Sequence, residues 1–303
     1  MLHATSTPAE RRAALRAGLD TGRLLRFPGA LNPMSALLVE QYGFEGLYVS
    51  GAVLANDLCL PDIGLSTQTE VVDRARQIAR VTNLPALVDV DTGFGGALNV
   101  ARTIQLLEDA GIAACQVEDQ VPQKRCGHLD GKELVAVDVM VTRIRAAVAA
   151  RRDRDFVIVA RTDAVAIEGL DSAIERARAY VEAGADVVFP EALTTAGEFA
   201  TVRAALDVPL MANMTEFGKS PLLDVETLDR LGYNIVIYPV TLQRLAMAAV
   251  ERGLTELRDA GTQEGIIDSM QTRARLYEVI EYVAYDQFQA SAERETTAAP
   301  PSW

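Results

Sequence analysis

Two aspartates, two positions apart, suggest metal chemistry in this 303-residue chain. Asp89 and Asp91 follow a short apolar run, and side chains at i and i+2 of a strand point to the same face. Both carboxylates can therefore address one point, as a hard divalent cation requires. Glu118 and Asp119 end the next apolar run, and Asp62 stands in a loop. We predict an all-oxygen Mg²⁺ site, with Mn²⁺ as the alternative metal. The competing interpretation is that Asp91 caps the following helix and Asp89 bonds local backbone.

The stretch QKRCGHLDGK, residues 123–132, predicts a catalytic loop. Cys126 is flanked there by Lys124, Arg125 and His128. Adjacent positive charge lowers the pKa of a thiol, so we expect Cys126 to be a group that exchanges a proton with a substrate.

Polar residues also end the later apolar runs. Arg161 is placed to bind a substrate carboxylate through two hydrogen bonds, although an ion pair with Asp163 is the structural alternative. Glu191, Asn213 and Thr215 are candidates to bind carboxylate or hydroxyl oxygens.

These side chains need a fold that brings the strand ends together. Short apolar runs alternate with amphipathic stretches, a pattern typical of parallel βα units. The predicted strands are residues 24–28, 46–49, 86–90, 114–118, 156–160, 186–190, 209–212 and 234–238. The predicted helices between them include residues 69–81, 100–110, 138–151, 171–183 and 242–252, and Gly111 and Gly184 are predicted helix stops.

Eight such strands predict a (β/α)₈ barrel of the TIM type, whose active site lies at the C-terminal strand ends. We assign residues 1–22 to an N-terminal helical segment, 23–290 to the barrel with its C-terminal helices, and 291–303 to a disordered tail. Residues 261–288 are helical by period and apolar enough to need a packing partner, for which a neighbouring subunit is a candidate.

Composition excludes several function classes. A net charge of −13 argues against nucleic acid and anionic membranes as partners and favours a small molecule. With His3 and His128 as the only histidines, a multi-histidine metal site is excluded. The three lysines, Lys124, Lys132 and Lys219, lie in loop sequence, which disfavours an aldolase that uses a buried Schiff-base lysine.

The three cysteines fit a reducing compartment. An odd, scattered set does not form a disulfide framework, and Cys59 and Cys115 stand in apolar surroundings typical of core residues. The chain also has no apolar run of membrane-spanning length. We therefore expect a cytoplasmic protein.

A family resemblance runs from about residue 23 to residue 287. The segments YVSG, LPDIG, DVDTGFG, EDQ, KRCGH, ARTDA, FPEA, NMTEFG and MQTRARLYE resemble those of the isocitrate lyase and phosphoenolpyruvate mutase superfamily. Within it, the chain is similar to the branch that cleaves 2-methylisocitrate to pyruvate and succinate in the methylcitrate cycle of propionate catabolism. KRCGH separates the lyases from the mutase and hydrolase branches.

The resemblance implies a Mg²⁺-dependent carbon–carbon lyase in which the eighth barrel helix is exchanged between subunits of a homotetramer. By position, the metal would be held by Asp89 and Asp91, with Asp62 and Glu118 contributing directly or through water. It implies that the substrate, a di- or tricarboxylate, is bound by Ser50, Gly51, Ala52, Cys126, Gly127, Arg161, Glu191, Asn213, Met214, Thr215, Arg244 and Arg273. Tyr48 is our candidate base, Cys126 the acid, and His128 and Arg161 complete the catalytic set.

Three other lyase activities stay open: isocitrate lyase, dimethylmalate lyase and oxaloacetate decarboxylase. The first differs by one methyl group on the substrate, and Phe189, Ile237 and Pro239 suit an apolar pocket for that methyl. The alternative from another class is a non-catalytic protein that binds carboxylates.

Overall fold

The computed structural model describes residues 4–297. Its centre is made of short parallel strands. They are β1 Leu25–Pro28, β2 Leu47–Val49, β3 Ala86–Asp89, β4 Ala114–Glu118, β5 Val157–Thr162, β6 Val187–Pro190, β7 Met211–Asn213 and β8 Ile235–Tyr238. Each overlaps a strand predicted from the sequence.

Helices lie before, between and after the strands. They are α1 Pro8–Asp20, α2 Pro33–Gln41, α3 Gly51–Asp57, α4 Gln68–Ala79, α5 Ala97–Asp109, α6 Val137–Ala150, α7 Val165–Glu168, α8 Leu170–Glu182, α9 Ala196–Ala205, α10 Val225–Arg230, α11 Thr241–Ala260, α12 Arg273–Val279 and α13 Tyr282–Thr297. A 3₁₀ helix, Glu264–Ser269, joins α11 to α12. None of the described helices is long and apolar enough to cross a membrane.

The strands close into the predicted barrel. Strands β2 to β6 form one parallel sheet in chain order, and β1, β8 and β7 form a second. Single bridges join the two sheets, Gly29 with Tyr48 at one seam and Val188 with Leu210 at the other. The wall is therefore continuous around the axis, as a (β/α)₈ barrel requires.

The core has an inner and an outer part. Phe27, Leu87, Val159 and Met211 are among the side chains that fill the barrel interior, where all are buried. Alternate residues of the same strands pack outward against the helices. This alternation follows from the two-residue period of a strand and fixes which side chains reach the barrel axis.

Helix α1 covers the N-terminal end of the barrel. Its Leu15 and Leu19 join the interior cluster. Arg12 donates to the carbonyls of Ile112, at 2.9 Å, and Glu108, at 2.7 Å. Both carbonyls are therefore hydrogen-bonded although water does not reach them. The opposite end, where chemistry is expected, is left open.

Helix boundaries agree with local sequence chemistry. A capping box begins α4, since Thr67 accepts from the Glu70 amide while the Glu70 side chain accepts from Thr67. Gly111 and Gly184, with φ of 81° and 106°, end α5 and α8 in the left-handed region that glycine adopts without strain. Both predicted helix stops are confirmed.

The C-terminal part differs from the expectation in two respects. The helical segment after α11 is broken into the 3₁₀ helix, α12 and α13. The tail expected to be disordered from residue 291 instead continues α13 as far as Thr297, because Ala, Glu and Arg in SAERETT are compatible with the helix that precedes them. Residues 298–303 of that predicted tail lie outside the described residues.

Candidate active site

A cleft of about 200 Å³ opens at the C-terminal ends of the strands. Most of the predicted site residues line it. They are Ser50, Ala52, Asp62, Asp89, Cys126, Gly127, His128, Arg161, Glu191, Asn213, Thr215 and Arg244. A larger depression, of about 670 Å³, lies beside Arg203 and Gly232. We place the site in the smaller cleft because the carboxylates, the thiol and Arg161 converge there.

Four acidic residues surround one buried lysine at the base of this cleft. The Nζ atom of Lys124 lies 2.5 Å from Asp62 Oδ1 and 2.8 Å from Asp91 Oδ1. Burial lowers the pKa of Lys124, but the charges of Glu118, Asp91, Asp62 and Asp89 outweigh it and raise the pKa well above its usual value. Lys124 is therefore an ammonium ion rather than a Schiff-base nucleophile. The sequence prediction missed that a lysine in loop sequence would be buried.

Asp91 does not cap a helix. The N-cap of α5 is Gly96, which makes no side-chain capping bond. Asp91 adopts a left-handed φ of 49°, a conformation that costs a non-glycine residue roughly 1–3 kcal/mol and is typical of functional sites. The competing interpretation also expected Asp89 to bond local backbone. That part is correct, because Asp89 Oδ1 accepts from the Asp91 amide at 3.0 Å.

Several buried oxygens here fit a cation. Asp91 Oδ1 and both carboxylate oxygens of Glu118 accept no hydrogen bond, although Lys124 lies in ion-pair range of Asp91 and Arg161 in ion-pair range of Glu118 Oε2. Buried carboxylate oxygens are usually paired with a cation or coordinate a metal, so this pattern is compatible with a bound cation. Gly51 leaves space beside them, since a Cβ there would lie 3.2 Å from oxygens of Asp89 and Asp91.

The protein does not supply a complete cage. Among the described residues, no group of three or more His, Cys, Asp or Glu side chains is arranged to hold a metal alone. Mg²⁺ commonly uses one or two carboxylates and completes its octahedron with water and substrate. The residues fit that mode of binding.

Tyr48 belongs to a buried hydrogen-bonded chain. Its Oη donates to Gln116 Oε1 at 2.8 Å, and Gln116 Nε2 donates to Asp89 Oδ1 at 3.2 Å. Burial, and then the charge of Asp89, raise the pKa of Tyr48 well above its ordinary value. Gln116 was missed from sequence, although a glutamine inside the apolar run ACQVE was a usable signal.

Arg161 is surrounded by three acidic side chains. It donates to both oxygens of Asp163, at 3.0 and 3.1 Å, and lies 3.3 Å from Glu118 and 3.5 Å from Glu191. The predicted alternative, an ion pair with Asp163, therefore exists. Arg161 still lines the cleft, so the pairing orients the guanidinium toward it.

Glu191, His128 and Asn213 form a second buried group. His128 Nδ1 accepts from the Lys219 amide at 2.9 Å, which assigns the imidazole proton to Nε2, 3.1 Å from Glu191. Asn213 Nδ2 lies 3.2 Å from the same carboxylate. Burial raises the pKa of Glu191, but Arg161 and His128 outweigh it and hold the pKa at about 2. Glu191 is therefore a carboxylate at neutral pH.

Cys126 is positioned as predicted, but its ionisation is not. Burial raises the pKa of the thiol above its ordinary value, and Arg161 and the His128 backbone lower it by less. The expectation of a lowered pKa was wrong because desolvation outweighs the neighbouring positive charge. The thiol is protonated at neutral pH, which is the state that an acid requires.

Three predicted substrate contacts are absent from the cleft lining: Gly51, Met214 and Arg273. Gly51 lies beside the carboxylate oxygens of Asp89 and Asp91. Met214 is buried in the outer core beside β7, because it follows Asn213 and points to the opposite face. Arg273 begins α12 and is exposed. At the rim, Arg244 lines the cleft and lies 2.8 Å from Glu216.

Comparison with known proteins agrees with this geometry. The family model described as phosphoenolpyruvate phosphomutase matches residues 15–258, most of the barrel. The chain belongs to this family. It is 59% identical over 281 residues to a probable 2-methylisocitrate lyase of Corynebacterium glutamicum, covering 93% of this chain and 92% of the relative. The 2-methylisocitrate lyase of Escherichia coli is 48% identical over 276 residues, which cover 90% of this chain and 93% of the relative.

Solved structures of the family superimpose closely. A 2,3-dimethylmalate lyase, 34% identical, gives a TM-score of 0.88 and covers 95% of this chain and 96% of its own. A phosphonopyruvate hydrolase in complex with oxalate and Mg²⁺, 31% identical, gives a TM-score of 0.84; the match covers 94% of this chain and 99% of the hydrolase chain. The superfamily resemblance drawn from the sequence motifs is confirmed.

Proposed function

We propose that this protein is a Mg²⁺-dependent lyase that cleaves 2-methylisocitrate into pyruvate and succinate. The single observation that carries the proposal is that Cys126, Arg161 and the carboxylates of Asp62 and Asp89 line one cleft. Burial raises the pKa of the Cys126 thiol, which favours the protonated form that an acid needs. Relatives that are 2-methylisocitrate lyases by name, 44–59% identical along most of the chain, support the choice of substrate.

We assign the metal to Asp89 and Asp91, with Asp62 and Glu118 acting directly or through water. The buried oxygens of Asp91 and Glu118 that accept no hydrogen bond support this assignment. A bound Mg²⁺ would supply positive charge that acidifies the substrate hydroxyl and stabilises its oxygen. Lys124 shares Asp62 and Asp91 and holds the acidic cluster together before the cation binds.

The chain supplies two proton transfers. We assign Tyr48 as the base that takes the hydroxyl proton, in its tyrosinate form. Oη carries its own proton in the resting site and must first release it to solvent; a cation that neutralises Asp89 would remove one cause of the raised Tyr48 pKa, while burial, the larger cause, remains. The O–H electron pair becomes the carbonyl of pyruvate as the carbon–carbon bond breaks. The bond pair moves to the leaving carbon, and its charge spreads into a carboxylate that Arg161 stabilises. Cys126 then donates its proton to that carbon, giving succinate.

The methyl group of 2-methylisocitrate distinguishes this substrate from isocitrate, and the cleft has an apolar surface for it. Ile237 and Pro239 line the cleft, and the ring of Phe189 lies under Arg161 with its centroid 5.4 Å from the guanidinium carbon. This apolar surface favours a methyl-bearing substrate over isocitrate by about 1–3 kcal/mol.

We further propose a homotetramer in which α11 is exchanged between subunits. The 20-residue α11 buries no residue within the described chain, and Leu245, Leu254 and Leu257 are all exposed. A mostly apolar groove of about 570 Å³, between α2 and α10, lies where the eighth helix of a barrel would pack. A second copy's α11 has the matching apolar face, and the exchange would bring Arg273 toward a cleft.

We place the protein in the cytoplasm. The cysteines, Cys59, Cys115 and Cys126, are all free, which suits a reducing compartment.

The deciding experiment is pyruvate release from purified protein with Mg²⁺, using 2-methylisocitrate, isocitrate, dimethylmalate and oxaloacetate separately. We expect efficient release from 2-methylisocitrate that a chelator abolishes. Turnover of another acid alone would overturn the substrate assignment, and inactivity on all four would favour a carboxylate-binding protein. A Leu254→Glu variant, sized by light scattering, tests the assembly: an unchanged tetramer would exclude the exchange of α11.

A further inference from the structure

The loop that carries Cys126 is closed at its base by a short antiparallel ladder. Gln120 bridges Leu134. The Val121 amide donates to Glu133 O at 3.0 Å, and the Val135 amide donates to Asp119 O at 2.9 Å. This ladder fixes where the loop leaves and rejoins the barrel, but it lies several residues from the thiol.

Two buried side chains hold the loop much nearer to Cys126. The side chain of Gln120 pairs with the backbone of Arg125: its Nε2 donates to the carbonyl and its Oε1 accepts from the amide, each at 2.9 Å. Lys132 donates from Nζ to the carbonyl of Gly127. The residues immediately before and after Cys126 are therefore each bound by one side chain.

Lys132 also links the loop to Arg161. Its Nζ lies 3.2 Å from Asp163 Oδ1, and its side chain is 1% exposed. The same carboxylate holds Arg161 through two hydrogen bonds. Lys132 therefore connects the backbone next to Cys126 with the carboxylate that holds Arg161. This connection fixes the distance between the Cys126 thiol and the Arg161 guanidinium.

We infer that Gln120 and Lys132 are positioning residues for proton delivery by Cys126. The inference rests on the proposed function, in which Cys126 protonates the leaving carbon. Neither residue lines the cleft. They act by fixing the backbone on both sides of the thiol, so that Sγ meets the carbon rather than solvent.

The test uses Lys132→Met and Gln120→Met, which keep an unbranched side chain but lose the hydrogen bonds. Lys219→Met is the matched control, because Lys219 Nζ binds Asp130 of the same loop at 2.6 Å on the exposed surface. The change removes only this side-chain contact and keeps the backbone amide that donates to His128. All are made with Cys59→Ser, so that alkylation by iodoacetamide reports Cys126; Cys115 is fully buried. We measure kcat and KM for 2-methylisocitrate in H₂O and in D₂O, and the rate of alkylation.

A misplacement of about 1 Å costs on the order of 100-fold in rate, so we expect kcat to fall about 10- to 100-fold in both variants. We expect KM to change little and the H₂O/D₂O rate ratio to rise, because proton delivery becomes rate-limiting. Alkylation of Cys126 should accelerate as the thiol becomes mobile, and Lys219→Met should match the parent in every measurement.

Wild-type kcat in both variants would overturn the inference. So would a lower kcat with an unchanged isotope ratio and unchanged alkylation, since that pattern means a smaller folded fraction. If one variant does not fold, the other decides, because they hold different backbone atoms. If the parent cleaves none of the acids, the proposed function fails, while the alkylation rates still show whether the two side chains position the thiol.

Discussion

Replacing Lys124 by methionine removes the only cation that contacts both Asp62 and Asp91 among the described residues. The Lys124 side chain is 2% exposed, and those of Asp62 and Asp91 are 17% and 7% exposed. Breaking a buried ion pair from one side costs about 3–5 kcal/mol, and the partial hydration of Asp62 places this case near 3 kcal/mol. At about 2 °C per kcal/mol for a large domain, the expected fall in Tm is about 6 °C without metal.

The size of this effect should depend on pH. Burial, and then Asp91, raise the pKa of Asp89 to about 6, while Lys124 lowers it. Because this pKa lies above the ordinary value of 3.8, ionised Asp89 opposes folding: the penalty is absent below pH 3.8 and complete above about pH 6. Without Lys124 the penalty grows, so the Tm difference should widen between about pH 5 and about pH 8.

Thermal unfolding of the metal-free proteins at both pH values measures this directly. Mg²⁺ at 100 times its Kd stabilises a folded protein by about 2.7 kcal/mol, so it should recover most of the loss in Lys124→Met. Lys219→Met is the control for removing one lysine. If metal-free Lys124→Met has the same Tm as the metal-free wild type at about pH 8, Lys124 does not hold the acidic cluster together and the reasoning is wrong.

Three further predictions follow from the site and from α1. Cys126→Ser should lower kcat about 10²- to 10⁴-fold while calorimetry finds Mg²⁺ binding unchanged; wild-type turnover would remove Cys126 as the acid. Mg²⁺ affinity should weaken as pH falls through about 6, where Asp89 takes up a proton, and a flat Kd across that range would exclude Asp89 as a ligand. Arg12→Met leaves the buried Ile112 carbonyl without its donor, removes one donor from the Glu108 carbonyl and breaks the ion pair with Asp153; it should cost about 3 kcal/mol in denaturant unfolding, with kcat unchanged.

Much of the barrel could be predicted from sequence because its signals are local. Buried parallel strands read as short apolar runs, and the polar residue that ends each run marks the open end of the barrel. Asp89, Arg161 and Glu191 were found in this way, and the structure brings all three to one cleft.

The remaining features depend on packing between distant segments. Lys132 reads as a loop residue, and only the fold shows that Asp163 and the Gly127 carbonyl bury it. The pKa of Cys126 depends on desolvation, which a list of charged neighbours omits. Arg273 needs a second copy before its position relative to a cleft is defined.

The two seams of the barrel wall have a consequence for the order of folding. Strands β2 to β6 form one sheet from a continuous segment, whereas the β1–β8 pair joins residues about 210 positions apart, such as Leu25 with Ile235. Such distant pairing is slow because the chain loses the entropy of closing a long loop before the new contacts stabilise the pair. Pulse-labelled hydrogen exchange during refolding should therefore protect the amides of β3 to β5 before those of β1 and β8. The nascent chain would carry all four carboxylates assigned to the metal on this partial barrel, and would complete the ring only after the last strand has been synthesised.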